Sequence, residues 1–369
     1  MSRKFCIFVA LIRSFMKTNN YLLSKYVKIL AEYYNEDTID DILNRWNESH
    51  RYWHNINHLL SIFKKIDDYF LLDKNINLYM TDIYKNFIIA AFFHDVVYNP
   101  KANNNEDKSI EYFLEVSDKD IFKLSPFYIN NIPVVVNLIT CTKERTITDT
   151  STFELYVNNK TFWNFDNSIL IDGTIEELID YENKIFKEYQ FASYDVYKAK
   201  RIEFLKGELY LNKNIEILIS YIKERKIKVG IYSGSFNPFH LGHLDVLQKA
   251  SLIFDKVIVA YGNNPDKLTR TIEVPTTLNN YQVDTYVGLV TDYISSVEND
   301  KVDVTLVRGL RNGADLDYEA NQLAFINDIK PNVKVVYIPC DKKFEHISSS
   351  AIRNLEKFDK ELINKYLVK

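Results

Sequence analysis

The chain has 369 residues, 46% of them hydrophobic and 26% charged, with a formal net charge of −4. That size and balance fit two ordinary globular domains and exclude a disordered chain. The acidic balance argues against a nucleic-acid-binding protein. The three cysteines, Cys6, Cys141 and Cys340, lie far apart. They make neither a disulfide framework nor a zinc-ligand pair, which places the protein in a reducing, cytoplasmic setting.

The first apolar run, Phe5–Ile12, follows Arg3 and Lys4 as a signal sequence would. It is too short to span a bilayer, Arg13 ends it, and no small-residue cleavage site follows. It reads either as a first apolar helix or as a stretch ahead of a working start at Met16, with no secretion and no membrane partner. From Asn20 to Lys65 apolar residues recur at helical spacing: Tyr26, Leu30 and Tyr33, then Ile39, Ile42, Leu43 and Trp46. Next comes Arg51-Tyr52-Trp53-His54, with His58 four residues on, so that on a helix the two histidines share a face. A second apolar helix runs over Phe87–Phe93 into His94-Asp95, and Val96–Pro100 breaks it. Asn105-Glu106 opens another helix. A carboxylate at the end of a buried helix is costly unless it is paired or bound to a metal.

These residues resemble the HD superfamily of metal-dependent phosphohydrolases, in particular a small branch with Arg-x-Tyr-His-x-x-x-His, Phe-His-Asp-x-Val-Tyr and Asn-Glu-x-x-Ser. Here the segments read Arg51–His58, Phe93–Tyr98 and Asn105–Ser109, with Trp53 where that branch has tyrosine. The later part departs further. Thr140–Arg145 lacks the branch's histidine, and Asp166 stands without its second aspartate, which is Ser168 here. The resemblance implies an all-α domain over residues 17–224, with a divalent metal held by His58, His94, Asp95 and Asp166. Such ligands suit Mn, Fe, Co, Ni or Mg alike. The alternative is a domain that has lost hydrolysis and serves as a binding or regulatory module.

Lys223-Glu224-Arg225-Lys226 is a charged connector without a Gly/Ser linker, after which a second domain spans 227–369. It opens with an apolar run from Ile227 that ends in Gly-Ser-Phe-Asn-Pro, and Leu244–Ala250 continues as a helix with Leu244, Leu247 and Leu252 on one face. Strand, glycine turn and helix start in that order make an anion site from unpaired amides and the helix dipole. His240 and His243 stand at the helix start. Further strands read at Lys256–Tyr261, Val302–Val307 and Val333–Ile338, with a helix over about Tyr318–Lys330 and a last helix opening at Ile347–Arg353. Strands alternating with helices predict an α/β doubly wound, Rossmann-like parallel sheet, with ligands at the carboxyl ends of the strands. No P-loop sequence is present.

Gly234-Ser235-Phe236-Asn237-Pro238-Phe239-His240-x-Gly242-His243 resembles the nucleotidyltransferase family with the His-x-Gly-His signature. Three more segments draw the likeness towards phosphopantetheine adenylyltransferases: Asn264-Pro265-x-Lys267, Arg308-Gly309-Leu310-Arg311 with Asp315–Glu319, and Ile347-Ser348-Ser349-Ser350-x-Ile352-Arg353. The resemblance implies transfer of an adenylyl group from ATP, with Mg²⁺, to a small phosphorylated acceptor, best 4′-phosphopantetheine. His243, Lys267 and Arg311 would be catalytic. Gly234, Ser235, Phe236, His240, His243, Arg311, Glu319, Ser348, Ser349 and Ser350 would meet ATP. Ser235, Lys267, Val290 and Arg308 would meet the acceptor. A homo-oligomer is compatible with this reading. Leu268–Val287 is shorter than that family's usual segment, and Pro275 interrupts it. The rival acceptors are therefore nicotinamide mononucleotide or a polyol or sugar phosphate, with ATP or CTP as donor.

Overall fold

A computed structural model describes residues 20–71, 82–119, 126–143, 153–263 and 273–368. These form two compact units. One holds the described residues up to Glu188 together with Tyr210–Ile215, and the other holds Tyr189–Leu209 and the described residues from Glu216 onward.

The first unit is helical. Its elements are α1 (Asn20–Leu30), α2 (Glu36–Trp46), α3 (Ile56–Leu71), α4 (Asp82–Phe93), α5 (Asn105–Lys119), α6 (Pro126–Lys143), α7 (Phe153–Asp166), α8 (Ser168–Asp172) and α9 (Ile175–Glu188). From Phe87 to Phe93 the sequence of α4 is apolar on every side, and such a stretch belongs at the centre of a bundle. Phe87 to Phe93 are accordingly buried, and α1, α3, α5 and α6 surround the helix. The core thus carries His94 and Asp95, the residues that follow α4, into the interior. His54 does not share a helix with His58, because it lies in the turn before α3. Glu188 takes the backbone N–H groups of Tyr52, Trp53 and His54 at 2.7–2.9 Å, which satisfies them outside any helix.

Helices α10 (Tyr194–Gly207) and α11 (Asn214–Glu224) precede the sheet. Its elements follow as β1 (Ile227–Gly234), α12 (Leu241–Ile253), β2 (Lys256–Asn263), β3 (Gln282–Val287), α13 (Val290–Val297), β4 (Val302–Leu310), α14 (Gly313–Ile329), β5 (Val335–Pro339) and α15 (Ser349–Glu356). The five strands are parallel in the order β3-β2-β1-β4-β5, with Ile231 of β1 opposite Ile258 on one side and Leu306 on the other. The buried ammonium of Lys256 reaches the carbonyls of Gln190 and Ala192, which joins the segment before α10 to β2. Burial pushes that lysine's pKa down to about 7.

The chain winds outward from β1 through β2 to β3, then returns to place β4 on the other side of β1. The strand order therefore reverses between β1 and β4, where doubly wound sheets open a ligand crevice. Some sequence expectations are displaced. β3 was not foreseen. Helix α14 begins at Gly313, because Asn312 caps it by accepting the N–H of Asp315 at 3.2 Å. Arg308, Gly309 and Leu310 lie on β4 itself rather than beyond it. On α12 the buried residues are Gly242, Val246, Leu247 and Ala250, while Leu252 is exposed. Among the described residues, no helix is long and apolar enough to cross a membrane.

Candidate functional site

Strand β1 delivers the chain into a turn whose shape depends on two residues. A Cβ on Gly234 would lie 2.9 Å from the Phe236 ring, so only glycine fits without a shift. Phe236 itself has φ +40°, a costly conformation for a bulky side chain. Its ring is buried among Tyr232, Phe239, His243 and Tyr261, with centroids 5.0–5.3 Å away. The apolar contacts hold the backbone there, and the turn then brings His240 to the N-cap of α12.

The two histidines close a capping box unusual for its imidazoles. His240 Nδ1 accepts the N–H of Gly242 at 3.2 Å, and His243 Nδ1 accepts the N–H of His240 at 3.3 Å. The rings stack with centroids 3.6 Å apart. Because each Nδ1 accepts, each neutral ring carries its proton on Nε2 and offers it as a donor. Burial, helped by the nearby Arg311 charge, pushes the His240 pKa down to about 4. Burial, with His240 and Arg311, holds His243 well below the usual range. Both are neutral donors near pH 7.

Strand β4 supplies the cations. Arg308 is held by Glu319 through two hydrogen bonds, 2.6 Å from Nε and 2.7 Å from Nη2, and it also donates to the Ser233 carbonyl at 3.2 Å. Arg311 pairs with Asp315 in the same two-pronged way, at 2.8 Å for each contact. Bidentate pairing fixes a guanidinium plane and leaves its remaining N–H groups for a ligand.

The third wall is the start of α15. Ser348 caps it, its hydroxyl oxygen accepting the N–H of Ala351 at 3.1 Å. Ser349 donates to the Pro238 carbonyl at 3.0 Å, and Ser350 accepts from Arg353 at 3.0 Å. Arg353 also donates to the Asn237 carbonyl. It thereby ties the serine helix to the turn after β1. The first-turn amides remain without helical partners, which suits an anion.

Gly234, Ser235, Phe236, His240, His243, Arg308, Arg311, Glu319, Ser348, Ser349 and Ser350 line one cavity of about 500 Å³. Val290 opens α13 and is not part of its lining. Lys267, with Asn264 and Pro265, lies outside the described residues. Sequence reasoning assigned no role to Tyr318, Asp315 and Cys340, which also line the cavity, or to Arg353. Asp315 and Arg353 stood within recognised segments, but their tasks are contacts to Arg311 and to the turn, which spacing alone does not display.

The helical unit gathers a second cluster. Ligand atoms of His58, His94 and Asp95 lie within 4.8 Å of one another. Asp166 Oδ1 lies 3.1 Å from His58 Nε2 and 3.4 Å from His94 Nε2. His94 Nδ1 lies 2.9 Å from the Ala91 carbonyl and must donate to it, so the neutral ring keeps a lone pair at Nε2. That Nε2 is buried without a hydrogen-bond partner, 3.3 Å from Asp95 Oδ2. A lone pair facing carboxylates needs a proton or a cation between them, and a carbonyl on the far ring nitrogen is how metal-ligating histidines are oriented. Burial lowers the His94 pKa, but the charges of Asp95 and Asp166 outweigh it and hold it well above the usual range. Burial would raise Asp95, yet His94 brings it to about 2. These residues could hold a divalent cation. Beside them Glu188, fully buried, accepts His54 Nδ1–H at 2.7 Å and the Tyr98 hydroxyl at 2.6 Å. Burial alone would raise its pKa, but His54 and these donors bring it to about 2.

The strand order, the crevice beside β1 and the donors around it define an α/β nucleotide-binding domain of nucleotidyltransferase type. Residues 231–355 match the family described as cytidylyltransferase-like. A phosphopantetheine adenylyltransferase of Syntrophomonas wolfei is 35% identical over 136 residues, covering 34% of this chain and 82% of that protein. Relatives of the same name from Alkaliphilus metalliredigens and Mycoplasma capricolum are 33% and 32% identical. These cover 36% of this chain each, and 87% and 100% of the two relatives. Through its C-terminal half the chain belongs to the phosphopantetheine adenylyltransferase family.

Proposed function

We propose that the C-terminal half transfers an adenylyl group from MgATP to 4′-phosphopantetheine, forming dephospho-coenzyme A and pyrophosphate. The observation that carries this reading is the single cavity in which His243, Arg308, Arg311 and the serine helix start converge. An acceptor phosphate oxygen attacks the α-phosphorus and pyrophosphate leaves, so negative charge grows on oxygens that need fixed donors rather than a protein nucleophile. The neutral Nε2–H groups of His240 and His243 serve those oxygens. Arg311 and the α15 amides hold the β- and γ-phosphates, Glu319 fixes Arg308 towards the acceptor, and Ser235 and Lys267 complete the acceptor side. The test is pyrophosphate release from MgATP with a panel of acceptors: phosphopantetheine, nicotinamide mononucleotide and glycerol phosphate. Release with phosphopantetheine alone supports the reading, and release only with another acceptor replaces it.

We also propose that the helical half is an HD-type domain that hydrolyses a phosphate ester with a divalent metal on His58, His94, Asp95 and Asp166. The buried, unpartnered Nε2 of His94 is what supports this. The cation would polarise the phosphoryl group and neutralise its charge. The chain's own residues orient the ligand atoms, with the Ala91 carbonyl fixing the His94 ring. Asp95→Ala in the full chain should abolish copurifying metal, measured by elemental analysis, and leave pyrophosphate formation intact. Full metal occupancy in that variant would refute the ligand set.

A further inference from the structure

The helical unit holds a built constellation that the ligand set does not use. Glu188 is buried, and its Oε1 takes three backbone N–H groups, those of Tyr52, Trp53 and His54. Its Oε2 takes the Tyr98 hydroxyl at 2.6 Å and His54 Nδ1 at 2.7 Å. Five donors on one carboxylate make it an acceptor only, so His54 must donate from Nδ1. The His54 ring stacks on Tyr98 with centroids 4.3 Å apart, which fixes its plane. It lies edge-on to His58, 5.9 Å between centroids, and its side chain keeps 23% of its surface exposed. The neutral ring therefore presents an Nε2 lone pair beside the His58–His94–Asp95–Asp166 cluster.

A structural brace would not need this arrangement. The three backbone N–H groups already hold the loop, and an asparagine could fill the place of the ring. An oriented imidazole with a buried carboxylate behind it and an open Nε2 is the arrangement by which enzymes activate a hydroxyl or a water. We propose that His54 is the general base of the helical unit, taking a proton from the water that attacks a phosphate ester held on the neighbouring cluster, with Glu188 as its positioning residue. This rests on the hydrolytic reading above. In the step, the water O–H bond breaks and its proton goes to His54 Nε2. The water oxygen bonds to phosphorus, and the bond from phosphorus to the ester oxygen breaks. The departing oxygen then takes the proton back from Nε2, so the ring ends as it began.

The experiment uses the full chain, supplied with divalent metal, and p-nitrophenyl phosphate and phenyl phosphate as probes. His54→Ala leaves Glu188 its four other donors and should fold. Its hydrolysis should fall by about 10²-fold or more, the usual contribution of a positioned base, with metal content unchanged. Added imidazole should restore part of the rate, which a lost brace would not allow. Glu188→Gln should lower the rate while retaining metal. In ¹⁵N histidine spectra taken in mildly alkaline solution, the parent chain should show an Nδ1–H ring in addition to that of His94, absent from His54→Ala and shifted in Glu188→Gln. His54→Ala with a rate within about threefold of the parent, or with lost metal, or an Nε2–H tautomer at His54, overturns the proposal while leaving the hydrolytic reading standing. No hydrolysis by the parent chain of either probe overturns both.

Discussion

His243 receives the backbone N–H of His240 at Nδ1, 3.3 Å away, and so holds its own proton on Nε2. A donor fixed before the substrate arrives needs no reorganisation during the reaction, and that is where electrostatic catalysis draws most of its strength. His243→Ala should lower kcat by about 10²- to 10³-fold and leave KM for ATP within about threefold. A raised KM with unchanged kcat would make the histidine a ground-state binding residue.

Neutrality of the pair has a consequence for pH. Burial lowers His240 to about 4 and His243 well below its usual value, so neither titrates near neutrality. The kcat profile should carry no inflection from them near 6.5. An inflection near 6.5 that vanished in His240→Asn would contradict this assignment.

The same shifts enter stability. The unfolded histidines bind protons below about 6.5 that the folded ones refuse, so protonation favours the unfolded chain. The stability owed to the neutral rings is therefore present above that pH and is lost as pH falls towards the folded value of about 4. Thermal melts of His240→Asn should show a shallower decline between about pH 6.5 and 4 than the parent. Parallel declines would mean that the rings are not held neutral.

The two arginines should separate by substrate. In the proposed reading Arg311 would hold phosphates charged already in the ground state, so Arg311→Ala should raise KM for ATP. Glu319 holds Arg308 by two bonds, and Glu319→Gln weakens that grip without removing bulk. It should raise KM for the acceptor by roughly 10- to 100-fold, the worth of a charge-assisted hydrogen bond, with KM for ATP little changed. Equal rises for both substrates would place Glu319 on the nucleotide instead.

Gly234→Ala tests the turn. Its Cβ would meet the Phe236 ring at 2.9 Å, and Phe236 is fixed by its neighbours. Overpacking of this kind costs about 1–3 kcal/mol, readable as a lower melting temperature together with lower kcat. An unchanged melt would show that the turn relaxes freely.

Much of this site was legible because its residues sit close in sequence to turn and cap signals. Gly234 to His243 spell a strand end, a turn and a helix start, and the structure places them so. Strand β3 was missed because Gln282–Val287 lies at the sheet edge, where none of its residues is fully buried and an apolar run never forms. The extra length of β4 came from pairing of Arg308 with Tyr337 on β5, a long-range contact without a local signal. Glu188 serves His54 across 134 positions, and its task is to accept backbone N–H groups, which no spacing rule marks. Cys340 reaches the cavity for the same kind of reason.

The most direct measurement is the mass of the product formed when the full chain is given MgATP and 4′-phosphopantetheine. The account predicts dephospho-coenzyme A, one adenylyl group added to the acceptor phosphate, in amounts equal to the pyrophosphate released and depleted in step with kcat in His243→Ala. Unmodified phosphopantetheine after ATP has been consumed, or equal product from His243→Ala, would contradict it.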